Sequence, residues 1–188
     1  MSDLEQVMEK IKPMVLEWCG DPAHRWWRTH VESVVEYSQM LAERLGGNKE
    51  ILEVSAWLHD IKKIRDGEKE DHHVKGAKEA GEILTGLGYP MDKVQQVIYC
   101  ILTHSSDETR PPGTMDAKIL ASADSLSHFD NFMAFAHWVY SLDGLSIADG
   151  RDMLVKKYAK NWKKLMPEAR EIAQPKYDAI KSVLGEGS

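Results

Sequence analysis

The residues in this chain best suited to chemistry are histidines and aspartates that lie at the ends of apolar helical segments. The adjacent pair His59-Asp60 follows the apolar run at residues 54–58. A buried imidazole beside a buried carboxylate is costly unless both are satisfied, and a bound cation is the usual solution. Other segments contribute four residues that could converge on the same point: His30, His72, His104 and Asp124. We therefore predict that six residues form a metal site inside a helical bundle.

Mixed imidazole and carboxylate ligands suit Mn, Fe, Co, Ni or Zn, and carboxylate-rich positions also admit Mg. Asp60 is the predicted bridge, because a carboxylate can touch two ions where an imidazole cannot. In the simplest arrangement one ion has four ligands: His30, His59, Asp60 and Asp124. A second ion is bound by His72 and His104, with Asp60 shared between the two ions. We predict one or two divalent ions. Two such ions can bind a shared hydroxide and a phosphoryl oxygen together, which lowers the pKa of the attacking water.

Three residues near these ligands could contact a substrate. Lys63 stands one helical turn after Asp60 and could make a point-charge contact to phosphate, so Asp60 and Lys63 are the predicted catalytic residues. His128 follows Asp124 by four and could orient that carboxylate or reach the pocket. Arg110 lies in a loop that could border the mouth and bind a phosphate. The alternatives are a solvated connector for Lys63, a helix-surface pair for His128 and ordinary loop solvation for Arg110.

The segments that must position these residues have the apolar periodicity of helices, and none shows the two-residue alternation of a strand. We therefore predict an all-α fold, a single-domain helical bundle. Pro13 is expected to end or bend the first helix. The predicted helices cover residues 2–18, 26–45, 48–61, 72–87, 92–104, 115–127, 130–142, 146–165 and 168–184.

Two charged stretches are expected to face solvent. Residues 62–71 alternate in sign around Asp66-Gly67 and are predicted to be an exposed connector. The lysines between residues 156 and 164 are predicted to form the solvated face of a helix whose other face, with Leu154, Tyr158 and Trp162, points inward.

Composition narrows the class of protein. The 188 residues suit one domain, and 43% apolar with 29% charged residues is ordinary for a globular protein. Lys+Arg 24 against Asp+Glu 30 gives a net charge of -6, which argues against a nucleic-acid polymer as partner. The two cysteines are too few for a thiolate zinc site. The sequence has neither a signal peptide nor a membrane-spanning stretch, which predicts a cytoplasmic protein with no membrane partner.

The order and context of the six residues resemble the HD superfamily of metal-dependent phosphohydrolases. His30 is similar to the family's opening histidine, and Leu-His-Asp-Ile-Lys-Lys at 58–63 to its His-Asp-Ile-Gly-Lys segment. Residues 72–77 resemble its His-x-x-x-Gly-Ala, 98–104 its Ile-x-x-His helix, and 118–126 its closing Ala-Asp segment. The resemblance covers residues 28–129 and implies an all-helical fold with metal-dependent phosphoester hydrolysis. The C-terminal helices, 130–185, are expected to pack on this core.

Two departures from the family pattern leave roles open. Lys62 replaces the usual small residue before Lys63, which leaves the phosphate role of Lys63 open. His72 and His73 compete for one ligand position, because spacing to Gly76 favours His72 while helical phase also lets His73 face inward.

The leading prediction is a phosphohydrolase that uses metal-activated hydroxide on a small phosphomonoester or phosphodiester, with nucleotides as first candidates. A di-iron oxygenase of the same superfamily is one alternative, and a non-catalytic regulatory module that binds metal or ligand is another. The sequence leaves open the substrate, the metal and the oligomeric state.

Overall fold

The computed structural model describes residues 2–20, 26–105 and 109–185, and every regular element in these ranges is a helix. The prediction of an all-α fold is confirmed. In chain order the helices are α1 (Asp3–Trp18), α2 (Trp26–Leu45), α3 (Lys49–Leu58), α4 (Ile61–Asp66), α5 (His72–Gly86), α6 (Met91–Thr103), α7 (Met115–Asp130), α8 (Phe132–His137), a π-helical turn (Trp138–Leu142), α9 (Ile147–Lys164) and α10 (Pro167–Val183).

Several helices begin at polar residues that satisfy the first free backbone N–H groups. Ser2 and Glu5 form a reciprocal capping box at the start of α1. The Asn48 side chain accepts hydrogen bonds from two backbone N–H groups of α3, and Thr114 accepts one from Ala117 in α7. Gly67 ends α4 in the left-handed conformation that glycine adopts without strain. These local signals explain why the helix starts were readable from the sequence.

One local prediction was wrong, and a second was wrong in one of its two alternatives. The expected connector at 62–71 contains α4, because Ile61 and Ile64 are buried and give this short charged segment an apolar face. Pro13 does not end α1, which continues to Trp18. Ile11 and Val15 on either side of the proline are fully buried, so packing on the core holds the helix together there.

Helix α7 is the centre of the bundle. Every residue from Ile119 to Phe129 is buried, as expected of a helix surrounded on all sides by other elements. It packs against α2, α3 and α6 of the central region and against α9 and α10 of the C-terminal region. Polar residues on α7, among them Asp124 and His128, are therefore delivered to the interior of the protein.

The C-terminal helices pack on α7 through polar as well as apolar contacts. The Tyr158 hydroxyl donates a hydrogen bond of 3.0 Å to the backbone carbonyl of His128. The backbone N–H of Met166 donates one of 3.1 Å to the Ser122 hydroxyl. The first bond holds α9 against α7, and the second holds the chain there between α9 and α10. Within the described ranges, none of the helices is long and apolar enough to cross a bilayer.

The packing of α7 predicts a large loss of stability when its core is truncated. Leu120 is fully buried, so Leu120→Ala should lower the free energy of unfolding by about 2–5 kcal/mol, measured by urea denaturation. Met133→Ala is the control, because this side chain is 76% exposed and its loss should change stability by less than about 0.5 kcal/mol. Equal effects of the two substitutions would contradict the central position of α7.

Candidate metal centre

The structure brings all six residues predicted as ligands to one point in the interior. They come from five helices or helix ends: α2, the junction of α3 and α4, the start of α5, the end of α6, and α7. His128 of α7 joins them. Three overlapping groups have ligand atoms close enough together to hold a metal ion: His30, His59 and Asp60; His30, Asp124 and His128; and Asp60, His72 and His104.

The break between α3 and α4 lets two adjacent residues reach the same centre. On a continuous helix, neighbouring side chains project about 100° apart. Here α3 ends at Leu58 and His59 is its C-cap. Asp60 has φ -115° and ψ 21°, outside the helical region, before α4 starts at Ile61. The His59 side chain is completely buried and that of Asp60 is 2% exposed. Both side chains are therefore directed inward by the change in backbone direction.

The two oxygens of Asp60 face two different pairs of histidines. Asp60 Oδ2 lies 3.7 Å from His30 Nε2 and 3.6 Å from His59 Nε2. Asp60 Oδ1 lies 3.6 Å from His72 Nε2 and 3.5 Å from His104 Nε2. Atoms that bind one ion at about 2.1 Å lie roughly 3.0–3.4 Å from one another, so each set needs only a small contraction to surround an ion.

Asp124 adds a second carboxylate on the side of the first pair. Its Oδ1 atom lies 3.6 Å from His30 Nε2, 3.9 Å from His59 Nε2 and 3.6 Å from His128 Nε2. This geometry fits both roles considered for His128, since the ring reaches the Asp124 carboxylate and also lines the adjoining cavity.

The hydrogen bonds at Nδ1 determine which nitrogen of each ring is available to a metal. In three rings Nδ1 lies within hydrogen-bond distance of a backbone carbonyl three residues earlier: His59 with Ala56 at 2.8 Å, His72 with Lys69 at 3.0 Å, and His104 with Ile101 at 2.6 Å. A carbonyl only accepts, so Nδ1 carries the hydrogen and a neutral ring presents a lone pair at Nε2. Metal-binding histidines are commonly oriented in this way.

His30 reaches the same state through a hydroxyl group. The Ser127 hydroxyl donates its hydrogen to the Asp124 carbonyl at 2.8 Å, and it lies 2.7 Å from His30 Nδ1. The hydroxyl therefore accepts the Nδ1 hydrogen of His30, which leaves the Nε2 lone pair pointing inward. Because His30 Nε2 lies 3.1 Å from His59 Nε2, two lone pairs face each other in the interior.

This donor set fits a metal ion. Lone pairs on four imidazoles and the oxygens of two carboxylates converge, and such groups repel one another unless a positive charge lies between them. A divalent cation satisfies all of them at once, and imidazole with carboxylate is the ligand mixture of several divalent metals. The buried His and Asp clusters thus have the composition, protonation and spacing of a metal centre.

Burial and neighbouring charges shift the pKa values in the direction that ligands require. Burial lowers the pKa of His59 to about 3 and that of His72 to about 4, although Asp60 opposes the shift in both cases. Burial raises the pKa of Asp60, but the charge of Lys63 and the neighbouring His59 outweigh it and hold the pKa well below the ordinary value. The Asp124 pKa is held low in the same way, chiefly by Lys164 against the effect of burial. The imidazoles of His59 and His72 are thus neutral, and the carboxylates of Asp60 and Asp124 charged, near pH 7.

Lysines accompany both carboxylates, and the sequence analysis identified only one of them. Lys63 Nζ lies 3.0 Å from Asp60 Oδ1, as its spacing suggested. Lys164 Nζ lies 2.7 Å from Asp124 Oδ2, and Lys157 Nζ lies 3.4 Å from His128 Nε2. The prediction that the lysines between 156 and 164 all face solvent is therefore wrong for Lys157 and Lys164. Lys157 follows the buried Leu154 by three residues, and Lys164 follows the buried Asn161 by three, so each lies at the edge of the buried face.

A cavity of about 300 Å³ opens beside Asp60 and His128. One wall is apolar and includes Trp27, Phe135 and Trp138. Lysines from three segments also line it: Lys63, Lys69 and Lys157. The cavity thus joins the buried ligands to an aromatic wall and a group of cations, which is the arrangement expected of a substrate pocket.

The structure also gives the positions of Arg110, His72 and His73, whose roles the sequence left open. Arg110 is exposed and is absent from the described residues that line this cavity, so its predicted substrate contact has no support here. His72 is the neighbour that faces Asp60, whereas His73 belongs to none of the three ligand groups found among the described residues. The role of each ligand remains a prediction.

Comparison with known proteins agrees with this geometry. The family model of the HD domain matches residues 27–128 of the 188. The chain is also similar to the crystal structure of a predicted HD superfamily hydrolase from an uncultured Thermotogales bacterium. The two share 26% sequence identity with a TM-score of 0.51, and the match covers 84% of this chain and 83% of the other.

The pKa shifts predict how the stability of the metal-free protein depends on pH. The folded pKa values of His59 and His72, about 3 and about 4, lie below the ordinary value of 6.5. The unfolded chain therefore binds more protons between these limits, so stability is fully present above pH 6.5 and is lost as the pH falls toward 4. We expect the free energy of unfolding in chelator, measured by urea denaturation, to fall across this range.

The control distinguishes buried histidines from exposed ones. His59→Gln should flatten the pH dependence, while His137→Gln should retain it, because His137 is exposed on α8. A wild-type stability that stays constant from about pH 7 to about pH 4.5 would contradict the shifted pKa values.

Proposed function

This chain belongs to the HD-domain family, and on that basis and from its buried centre we propose that it is a metal-dependent phosphohydrolase. The observation that carries the proposal is the position of Asp60, whose two oxygens face two separate pairs of histidine Nε2 atoms. The proposed substrate is a small phosphomonoester or phosphodiester, with nucleotides as first candidates, rather than a nucleic-acid polymer.

We assign the ligands in two overlapping sets, with Asp60 in both. The first set would hold one divalent ion and the second set another. Mn, Fe, Co, Ni and Zn suit the histidine-rich composition, and the carboxylates also suit Mg. The proposed sets are His30, His59, Asp60 and Asp124, then Asp60, His72 and His104.

The residues around the centre have separate roles in the proposed reaction. When bound, divalent ions activate a water molecule and offset negative charge on the phosphoryl oxygens. Lys63, which lines the cavity, is placed to donate to a phosphate oxygen. Lys164 holds one oxygen of Asp124, so the other oxygen stays directed at His30. Trp27 and Trp138 pack edge to face and shield one side of the cavity from water.

Elemental analysis of purified protein tests the ligand assignment. Wild type should contain about two equivalents of divalent metal, and Asp60→Ala should lose both because it removes the shared carboxylate. His72→Gln should lose about one equivalent, whereas His73→Gln should lose none, since His73 lies outside the ligand groups. A wild type that takes up no metal after reconstitution would overturn the proposed centre.

Hydrolysis assays on the metal-loaded protein test the reaction. Asp60→Asn should abolish turnover of phosphoesters, and Lys63→Met should lower kcat/KM about tenfold or more, the effect of losing one charge-assisted hydrogen bond. Lys62→Met is the matched control, because Lys62 pairs with Asp66 and Glu79 outside the cavity, and it should change kcat/KM less than about threefold.

The assay also separates the proposed reaction from its alternatives. Absence of hydrolysis by metal-loaded wild type across a broad panel of phosphomonoesters and phosphodiesters would contradict the proposal. Iron content combined with oxygen consumption would instead support the di-iron oxygenase.

A further inference from the structure

Lys157 differs from Lys63 and Lys164 in having no anionic partner among the residues that the structure describes. Lys63 pairs with Asp60, and Lys164 pairs with Asp124. Lys157 Nζ lies 3.4 Å from His128 Nε2 and 5.1 Å from the centre of the Phe135 ring. Among the described residues it forms no ion pair with a carboxylate.

An ammonium group in this position is costly without a counter-charge. Lys157 is half-buried and lines the cavity, so part of its hydration is lost. An aromatic ring and an imidazole compensate for this loss less well than a negative charge does. The structure therefore has a cation whose best partner is an anion that enters the cavity.

The charges of the cavity wall favour an anion with more than one negative charge. Lys63, Lys69 and Lys157 line it, against the carboxylates of Asp60 and Asp143. Asp60 is already paired with Lys63, and Asp143 accepts a hydrogen bond from the Trp138 indole at 3.0 Å. Every divalent ion in the adjacent centre would add two positive charges to this balance.

We propose that Lys157, together with Lys63, forms a subsite for a doubly charged terminal phosphate, which selects phosphomonoesters over phosphodiesters. A phosphomonoester is largely a dianion near neutral pH because its second pKa is about 6, whereas a diester carries one charge. The selectivity for monoesters over diesters rests on the proposed hydrolase function. The binding of a phosphate dianion at this subsite does not depend on that function.

The reaction that this subsite selects is the hydrolysis of the terminal ester. The oxygen of a water molecule bonds to phosphorus, the ester P–O bond breaks, and the leaving alkoxide oxygen takes a proton from that water. Inorganic phosphate and an alcohol result. Lys157 binds the non-bridging oxygens and is a binding residue that neither supplies nor removes that proton.

Lys157 lies in the C-terminal region, outside the residues that the family model matches. The family match ends at residue 128, and Lys157 lies on α9, beyond it. The α9 backbone is fixed on α7 by the Tyr158 hydroxyl, adjacent to Lys157 in sequence. The subsite is thus built from a residue of the family core, Lys63, and one from a helix that packs on that core.

Binding of inorganic phosphate to the full-length protein as purified, measured by calorimetry, gives a readout that does not need turnover. Lys157→Met should weaken phosphate binding about tenfold or more, and Lys157→Arg should restore most of it because the charge is kept. Lys156→Met is the matched control, since Lys156 is exposed on the same helix, and it should bind phosphate as wild type does. Metal content and melting temperature, measured on every variant, should match those of wild type.

Kinetics on the same variants test the selectivity. Lys157→Met should lower kcat/KM for p-nitrophenyl phosphate about tenfold or more but change that for bis(p-nitrophenyl) phosphate less than about threefold. Equal phosphate binding by Lys157→Met and Lys156→Met would overturn the subsite. An equal fall for monoester and diester would overturn the selectivity.

The two proposals fail in distinguishable ways. If wild type binds phosphate in a manner that depends on Lys157 but hydrolyses no phosphoester, the subsite stands and the hydrolase assignment fails. If wild type hydrolyses phosphoesters and Lys157→Met leaves phosphate binding and both activities unchanged, the hydrolase stands and the subsite is wrong.

Discussion

Electrostatic repulsion among buried imidazole and carboxylate groups is the constraint on which this structure depends. Four imidazoles present lone pairs to two carboxylates across 3.5–3.9 Å, and two of the imidazoles face each other at 3.1 Å. Backbone carbonyls and the Ser127 hydroxyl fix the Nδ1 hydrogens, so the rings cannot relieve the repulsion by changing tautomer. A cation at this point would bind side chains from five helices or helix ends that otherwise repel one another. Its binding would therefore raise the stability of the fold as well as support chemistry.

The bundle is organised to bring helix ends to that point. His59 and His104 are the C-terminal caps of α3 and α6, where the last backbone carbonyls lack partners within the helix and are free to accept the ring hydrogens. Asp124 and His128, one turn apart, come from the buried middle of α7. At these two helix ends, the same helix therefore supplies both the imidazole and the carbonyl that orients it.

The C-terminal helices add charged side chains to a centre whose proposed ligands all lie within the residues that the family model matches. Lys164 neutralises Asp124 and limits the orientations of its carboxylate. Lys157 lines the cavity, together with Trp138 and Asp143 from the π-helical turn and the residue that follows it. We infer that ligand geometry is a property of the core, whereas the charge and shape of the pocket depend on this added region.

The sequence by itself determined the all-α class, most helix boundaries and the six residues that converge, because apolar periodicity and capping are local signals and the ligand motifs have fixed spacing. Only the tertiary structure decided which of His72 and His73 faces Asp60, since helical phase allowed both. It also decided that Lys157 and Lys164 turn inward, which their charged sequence environment did not indicate. Their orientation depends on how α9 packs against α7, and the energy of burying a lysine is set by a carboxylate or cavity that is distant in sequence.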